Sequence, residues 1–464
     1  MAVLVLATQT ILSGTPDRLT HLNCSSSSPG TQLTVDLRHH DSLPRSFKSF
    51  PGIKLAVIEQ TRYHEEVIGG VLSILHDMEL DYDFYREHES NTRRGPQLTQ
   101  GDAKFWKGWQ EVLDPLQQSE GPHVVCLYHE IEGFGRSEDV DMLAPIALHG
   151  RLSLLSLGQH SATHLHKKVL KLAAETRDRR WETVSVSHFA PVFRIPDTAR
   201  PETPVVLPSP AGSILSKAAI LGRVQQESLD YSGIFAELLS NIQNNPNLWG
   251  YRSITVPSTL SSPDVDDDQS VNIVPQASRQ RFVPLDGRLD SRFTLHLVGK
   301  DDRKVRIPEE LADDEFPIVV RHPELQYDQF YDLIGAMDIV LPAFSTYHYL
   351  DSRSSAAIPA AIMAQTRILA SPLLLESYTY VGGPAMCLVP TSLSPIAAIA
   401  LLRASKDPWE ELSLDRNNAI SASSSMLRLQ SPLLPDYDWE GYQTEVALMN
   451  IESWATLLSR VVPY

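Results

Sequence analysis

Two hydrophobic periods alternate along this chain. Ile53–Glu59 (IKLAVIE) is a mostly apolar run of strand length. Val67, Ile68, Val71, Leu72, Leu75 and Met78 then recur at helical spacing, which predicts an amphipathic helix over about 65–78. The same reading places strands at 81–86, 123–128, 151–157 and 181–187, and helices at 141–149 and 162–175. Several of these strands are apolar on both faces, which favours a parallel sheet covered by helices on both sides. From Ile195 to Gly212 the periodicity stops and Pro196, Pro201, Pro204, Pro208 and Pro210 accumulate. Proline blocks helix and stiffens a linker, so a hinge is expected there. Alternation then resumes, with strands at 217–224, 292–299, 318–321, 338–344, 368–371 and 385–389 and helices at 231–242, 328–337, 354–365 and 395–404. Residues 257–290, with the acidic cluster Asp264, Asp266, Asp267 and Asp268, carry little pattern and read as a surface insertion. A last helix is expected over about 442–461.

The expected class is α/β, with two doubly wound Rossmann-like domains facing a cleft. A poorly ordered lead-in would occupy 1–50, the first domain 51–200, the proline-rich hinge 201–212 and the second domain 213–440. The helix in 441–464 would pack back on the first domain. In open α/β sheets ligands bind beyond the carboxyl ends of the strands. One ligand would then sit on each lobe, with the reaction between them. Glycosyl transferases, two-domain epimerases and phosphorylases all fit that arrangement.

Composition narrows the partners. With 42% hydrophobic residues among 464, sizeable cores can form. Lys and Arg number 40 against 57 Asp and Glu, a net charge of −17. Such a chain is unsuited to tracking a nucleic-acid backbone, and it has no polybasic patch for an anionic membrane. Cys24, Cys126 and Cys387 are odd in number and far apart, and there is no CxxC pair, so neither a disulfide framework nor a thiolate zinc site is expected. No run of about 20 apolar residues spans a bilayer. The start, MAVLVLATQTIL, lacks a basic leader. The expected location is cytoplasmic, or endomembrane-associated if that start is a trimmed anchor. Oligomeric state is left open.

Several familiar sites are missing. There is no GxGxxG after a strand, no GxxxxGK[ST], no HExxH and no GxSxG. His160, His164 and His166 do not share one helix face, so no metal is expected, and His160 reads as a solvated loop residue. Gly69-Gly70 inside a helix costs stability and implies close packing. On the first lobe, Tyr63-His64-Glu65-Glu66 opens a helix after a strand, and His129-Glu130 ends another strand. His64 and His129 are therefore the candidates for an acceptor base, although first-turn carboxylates are also expected simply to offset the helix dipole.

Segment 292–380 resembles the nucleotide-sugar half of GT-B glycosyltransferases of the family-4 type (glycosyltransferase group 1), with similarity to a divergent fungal set. The text that carries this is FTLHLVGK, then VVRHPELQYDQFYDLIGAMDIVLPAF, then SSAAIPAAIMAQTRILAS. It supplies Gly299, His322, Tyr331, Asp338, Leu341, Pro342, Ala370 and Ser371 at the family's positions. SKAAILGRVQQESLDYSGIFAELLSNI is similar to the family's opening strand of that half, ending at Gly222. The resemblance implies a metal-independent transfer of a sugar from a nucleotide-sugar donor to a small-molecule or glycan acceptor, with no cofactor. It implies that Gly222, Arg223, Gly299, Lys300, Ser354 and Ser355 surround the diphosphate and that His322 contacts the nucleoside. Two departures stand out. The family's paired glutamates would fall near Ser352 and Ala360, and its basic pair near Ser228 and Leu229. Two further readings therefore stay open: a non-catalytic GT-B scaffold acting as a binding subunit, and a nucleotide-sugar epimerase-like enzyme.

Overall fold

The computed structural model describes residues 2–8, 54–59, 65–86, 122–128, 131–135, 137–196, 206, 214–224, 229–257, 278–285, 291–300, 305–409 and 438–460. The first sheet has β1 (Ala2–Thr8), β2 (Lys54–Glu59), β3 (Tyr82–Arg86), β4 (His123–Tyr128), β5 (Leu152–Ser156) and β6 (Ser185–His188), in the order β3-β2-β1-β4-β5-β6. Its helices are α1 (Glu65–Asp77), α2 (Ser137–Leu148) and α3 (Gln159–Thr176). The stretch expected as a lead-in thus contributes a strand. β1 lies at the centre and runs antiparallel to both β2 and β4, pairing Val5 with Val57 and with Val125. The other five strands share one direction.

The second sheet has β7 (Lys217–Leu221), β10 (Thr294–Val298), β11 (Val319–His322), β12 (Ile339–Val340), β13 (Ile368–Ala370) and β14 (Met386–Leu388). β8 (Tyr251–Pro257) and β9 (Ser278–Pro284) precede β10 in the chain and form a separate antiparallel ribbon. The order β11-β10-β7-β12-β13-β14 is the doubly wound order 3-2-1-4-5-6, and every pairing is parallel. Its helices are α4 (Tyr231–Asn244), α5 (Tyr327–Gly335), α6 (His348–Asp351), α7 (Ala357–Met363), α8 (Pro372–Ser377) and α9 (Pro395–Arg403). α10 (Trp439–Leu458) closes the described chain. The expected α/β class with two Rossmann-like lobes is observed.

Strand periodicity explains the layers. In β4, Val124, Cys126 and Tyr128 face α2 and α3, while Val125 and Leu127 face α1 and the end of α10. In β7, Ala218 and Ile220 join the core with α4 and α9, and Ala219 and Leu221 join the one with α5 and α7. α10 belongs to both lobes. Tyr442 and Val446 lie in a core of the second, and Ile451, Trp454, Leu457 and Leu458 in a core of the first. Ala190 and Val192, on the chain leaving β6, are also buried in the second lobe's core. The glycine pair of α1 packs against this segment. A Cβ on Gly69 would stand 2.8 Å from Phe193 Cζ, and one on Gly70 3.0 Å from Pro191 Cα.

Three expected elements are corrected. The strand over 181–187 begins only at Ser185, because Trp181 sits fully buried in a 3-10 turn capped by Asp178. The strand over 338–344 shortens to Ile339–Val340. Asp338 ahead of it accepts from the backbone N–H groups of Ser216 (2.6 Å) and Lys217 (2.8 Å), pinning β12 beside the start of β7. The patternless segment 257–290 contains β9, whose partner β8 ends at Pro257, the first residue of that segment.

Candidate functional site

The second sheet changes winding direction between β7 and β12, and the carboxyl ends of its strands assemble most of the residues singled out above. β7 is followed by Gly222 and Arg223 and β10 by Gly299 and Lys300, while β11 ends in His322. Backbone hydrogen bonds knit these ends together: Gly222 N–H to the Val298 carbonyl (3.0 Å), Val224 N–H to the Lys300 carbonyl (2.8 Å) and Gly299 N–H to the His322 carbonyl (3.2 Å). Both glycines hold positive φ, 128° and 136°. Arg223 and Lys300 are exposed on the same rim. This places two cations and two glycines together at one edge of the sheet.

His322 belongs to a chain of polar groups that the sequence did not suggest. Its Nε2 lies 2.8 Å from His296 Nδ1, the two rings stack at 13°, and His296 Nε2 lies 2.9 Å from Thr294 Oγ1. Burial, followed by the charge of nearby His322, Lys217 and Arg292, lowers the His296 pKa to about 3, and burial lowers that of His322. Both are neutral at pH 7, so each shared hydrogen bond needs one donor and one acceptor, and the tautomers are coupled along the row. The signal in the sequence was a lone histidine inside the apolar strand TLHLV.

The serines occupy different surroundings from those expected. The helix starts at Ala357 and not at Ser354. Ser354 is buried, and its Oγ lies 3.1 Å from Ser161 Oγ on the first lobe. Ser161 in turn donates to the Gly158 carbonyl and accepts from Ser156 Oγ (2.6 Å). Ser355 Oγ accepts from Ala357 N–H (3.3 Å), and its own N–H donates to Tyr378 Oη (3.0 Å). Ser352 and Ala360, at the positions of the family's glutamates, are both buried.

The three histidines near 160 do not converge. His160 is wedged between the lobes and is not a solvated loop residue. Nδ1 lies 2.6 Å from the Ser377 carbonyl and Nε2 2.8 Å from the Arg353 carbonyl. His164 stands between Glu132 (3.5 Å) and Asp351 (3.3 Å). His166 lines a groove of about 560 Å³ between α3, β6 and α10, with His188 and Glu452. Among the described residues no group of three His, Cys, Asp or Glu is placed to hold a metal ion. Nor is any described helix long and apolar enough to cross a membrane. His64, His129 and Ser228 lie outside the described residues.

No family model and no curated protein sequence matches the chain. Solved structures do resemble it. A UDP-forming α,α-trehalose-phosphate synthase from Burkholderia xenovorans is 10% identical, with a TM-score of 0.39 over 87% of this chain and 98% of that one. A UDP-GlcNAc 2-epimerase from Methanocaldococcus jannaschii is 11% identical, with a TM-score of 0.33 over 85% and 99%. At such identities and scores the likeness says nothing of chemistry. What stands on its own is the strand order of the second lobe and the glycine-lined rim at its switch point.

Proposed function

We propose that the protein is a glycosyltransferase that moves a sugar from a nucleotide-sugar donor to a small-molecule or glycan acceptor without a metal. The observation that carries this reading is the rim at Gly222 and Gly299. Gly222, with only Leu229 near the place of its missing side chain, lets a ligand approach the backbone, and Arg223 and Lys300 flank it. A nucleoside diphosphate leaves readily once its developing charge is met by fixed cations, which is the role assigned to Arg223 and Lys300 on this rim. His322, at the adjoining strand end, is assigned to the nucleoside. His64 or His129 is assigned to the acceptor, as the group that takes its proton.

A second reading is favoured by a specific arrangement. Ser354 spends its hydroxyl on Ser161, and Ser352 and Ala360 offer no carboxylate to a sugar. A scaffold that binds a nucleotide-sugar, or a partner, without transferring anything fits those facts. Calorimetry with UDP, GDP and their glucose and N-acetylglucosamine derivatives tests both. Saturable binding, weakened about tenfold or more in Lys300→Ala or Arg223→Ala, supports the assigned rim. No binding at millimolar nucleotide removes the donor site. Binding without turnover across a panel of acceptors selects the scaffold. Epimerised sugar released without any acceptor selects the epimerase-like reading.

A further inference from the structure

α3 begins beneath the second lobe. His160, His164 and Lys168 recur every fourth residue, so they share one face of that helix. The His160 ring has two carbonyl oxygens as partners, one on each nitrogen, and both belong to the second lobe. A neutral imidazole carries one N–H and one lone pair. It satisfies one carbonyl and sets its lone pair against the other, whereas the imidazolium donates to both. The Tyr378 ring packs 4.6 Å away and closes that side. One turn along, His164 stands between Glu132 of the first lobe and Asp351 of the second, a bridge that attracts only when its ring is protonated.

We propose that His160 is a proton-operated tie between the lobes: as imidazolium it holds the Ser377 and Arg353 carbonyls together against α3, and on losing a proton it releases one of them. The groups facing it come from each neighbouring element. They are His164 on its own helix, Glu132 from residues 131–133, His188 from β6, Asp351 and Arg353 from residues 348–355, and Tyr378 after α8. Two of these groups oppose the tie, the Arg353 guanidinium and, were it to gain a proton, His188. Burial and the charge of His160 hold its proton off, so it stays neutral beside the charged ring. His164 acts with the same sign as His160. The joined state therefore holds more protons than the separated state. With a carbonyl acceptor on each ring nitrogen, joining strengthens as pH falls and weakens as it rises. The Ser161–Ser354 hydrogen bond, next along α3, follows the same motion.

The tie is tested without any nucleotide, so its failure is separate from failure of the donor assignment. Spin labels go on Leu170→Cys of α3 and Asp314→Cys of the second lobe, both exposed, in a Cys24→Ser background; Cys126 and Cys387 are buried. Interlobe distances are then measured from pH 5.5 to 8.5. The expected result is a fall in the joined population on the order of tenfold as pH rises. That slope persists in His164→Gln and disappears in His160→Gln combined with His164→Gln. A wild-type distribution that ignores pH, or a slope that survives the double variant, overturns the proposal. If the double variant does not fold, the wild-type titration and His164→Gln decide: a slope abolished by His164→Gln alone also overturns it.

Discussion

The carbonyl oxygen of Gly222 stands 2.3 Å from the point where a Cβ on Gly299 would be. These residues follow neighbouring parallel strands, and the two backbones come this close because Gly299 carries no side chain. Gly299→Ala meets fixed backbone in addition to a left-handed φ, and is expected to cost about 3 kcal/mol or more. Gly222→Ala has only Leu229 Cδ1 nearby, at 3.8 Å, so φ strain alone applies, about 1–2 kcal/mol. Urea unfolding of the two variants checks the order; equal costs would contradict the geometry.

Arg403 is buried under the second sheet. It donates to the carbonyls of Leu215, Leu248 and Ser291, and stacks 5.7 Å from the ring centres of Trp249 and Phe293. Burial lowers its pKa to about 10, which leaves it charged at pH 7. Arg403→Ala strands those carbonyls and is expected to cost about 3 kcal/mol or more. Arg403→Lys recovers only part, because an ammonium lacks the planar fork. Chemical denaturation at pH 7.5 measures both.

Asn450, on α10, grips the backbone of Ala190. Its Oδ1 accepts from the Ala190 N–H (2.8 Å) and its Nδ2 donates to the Ala190 carbonyl (2.7 Å). Asn450→Leu leaves the Ala190 N–H buried and unpaired, while its carbonyl keeps only the Val192 N–H (2.7 Å), an expected loss of about 1–3 kcal/mol. Hydrogen exchange at residues 188–192 is expected to rise first, since that segment loses its anchor.

Acid weakens the fold through buried neutral histidines. His123 is brought down to about 4 by burial, then by the charges of Arg151 and Arg460; it shares a 2.8 Å hydrogen bond with Ser153. His296 is brought down to about 3. A folded pKa below the unfolded value means the unfolded chain binds protons first. Stability is therefore full above about pH 6.5 and falls as pH drops toward 4. Each histidine contributes on the order of 1 kcal/mol per pH unit. Asp313, held down to about 2 chiefly by its hydrogen bonds from Arg281, adds its loss only below about pH 4. The comparison is with His123→Gln plus His296→Gln, whose stability is expected to vary less between pH 7.5 and 5.

Much of the architecture was legible in the order of apolar runs. His123–Tyr128 appears as read, and the helix over 231–242 extends only to Asn244. Gly222, Gly299 and His322 sit at strand ends because the apolar runs stop there. The serines were harder. Ser354 reads as a helix opener, and nothing in SSAAIPAA announces that its hydroxyl meets Ser161, 193 residues away in sequence. β9 was missed because its first four residues, Ser278 to Arg281, are all polar and its partner is distant in the chain.

What the sequence alone determined is the alternation of strands and helices and the places where strands end. These depend on local periodicity, on glycine's access to positive φ and on proline's lack of an N–H. Only the tertiary structure decided that Ala2–Thr8 is a central antiparallel strand, that His296 and His322 share a hydrogen bond and that His160 joins two lobes. Those facts are contacts between segments far apart in the chain. Each rests on which burial, among many of similar hydrophobic gain, also satisfies every polar group it encloses.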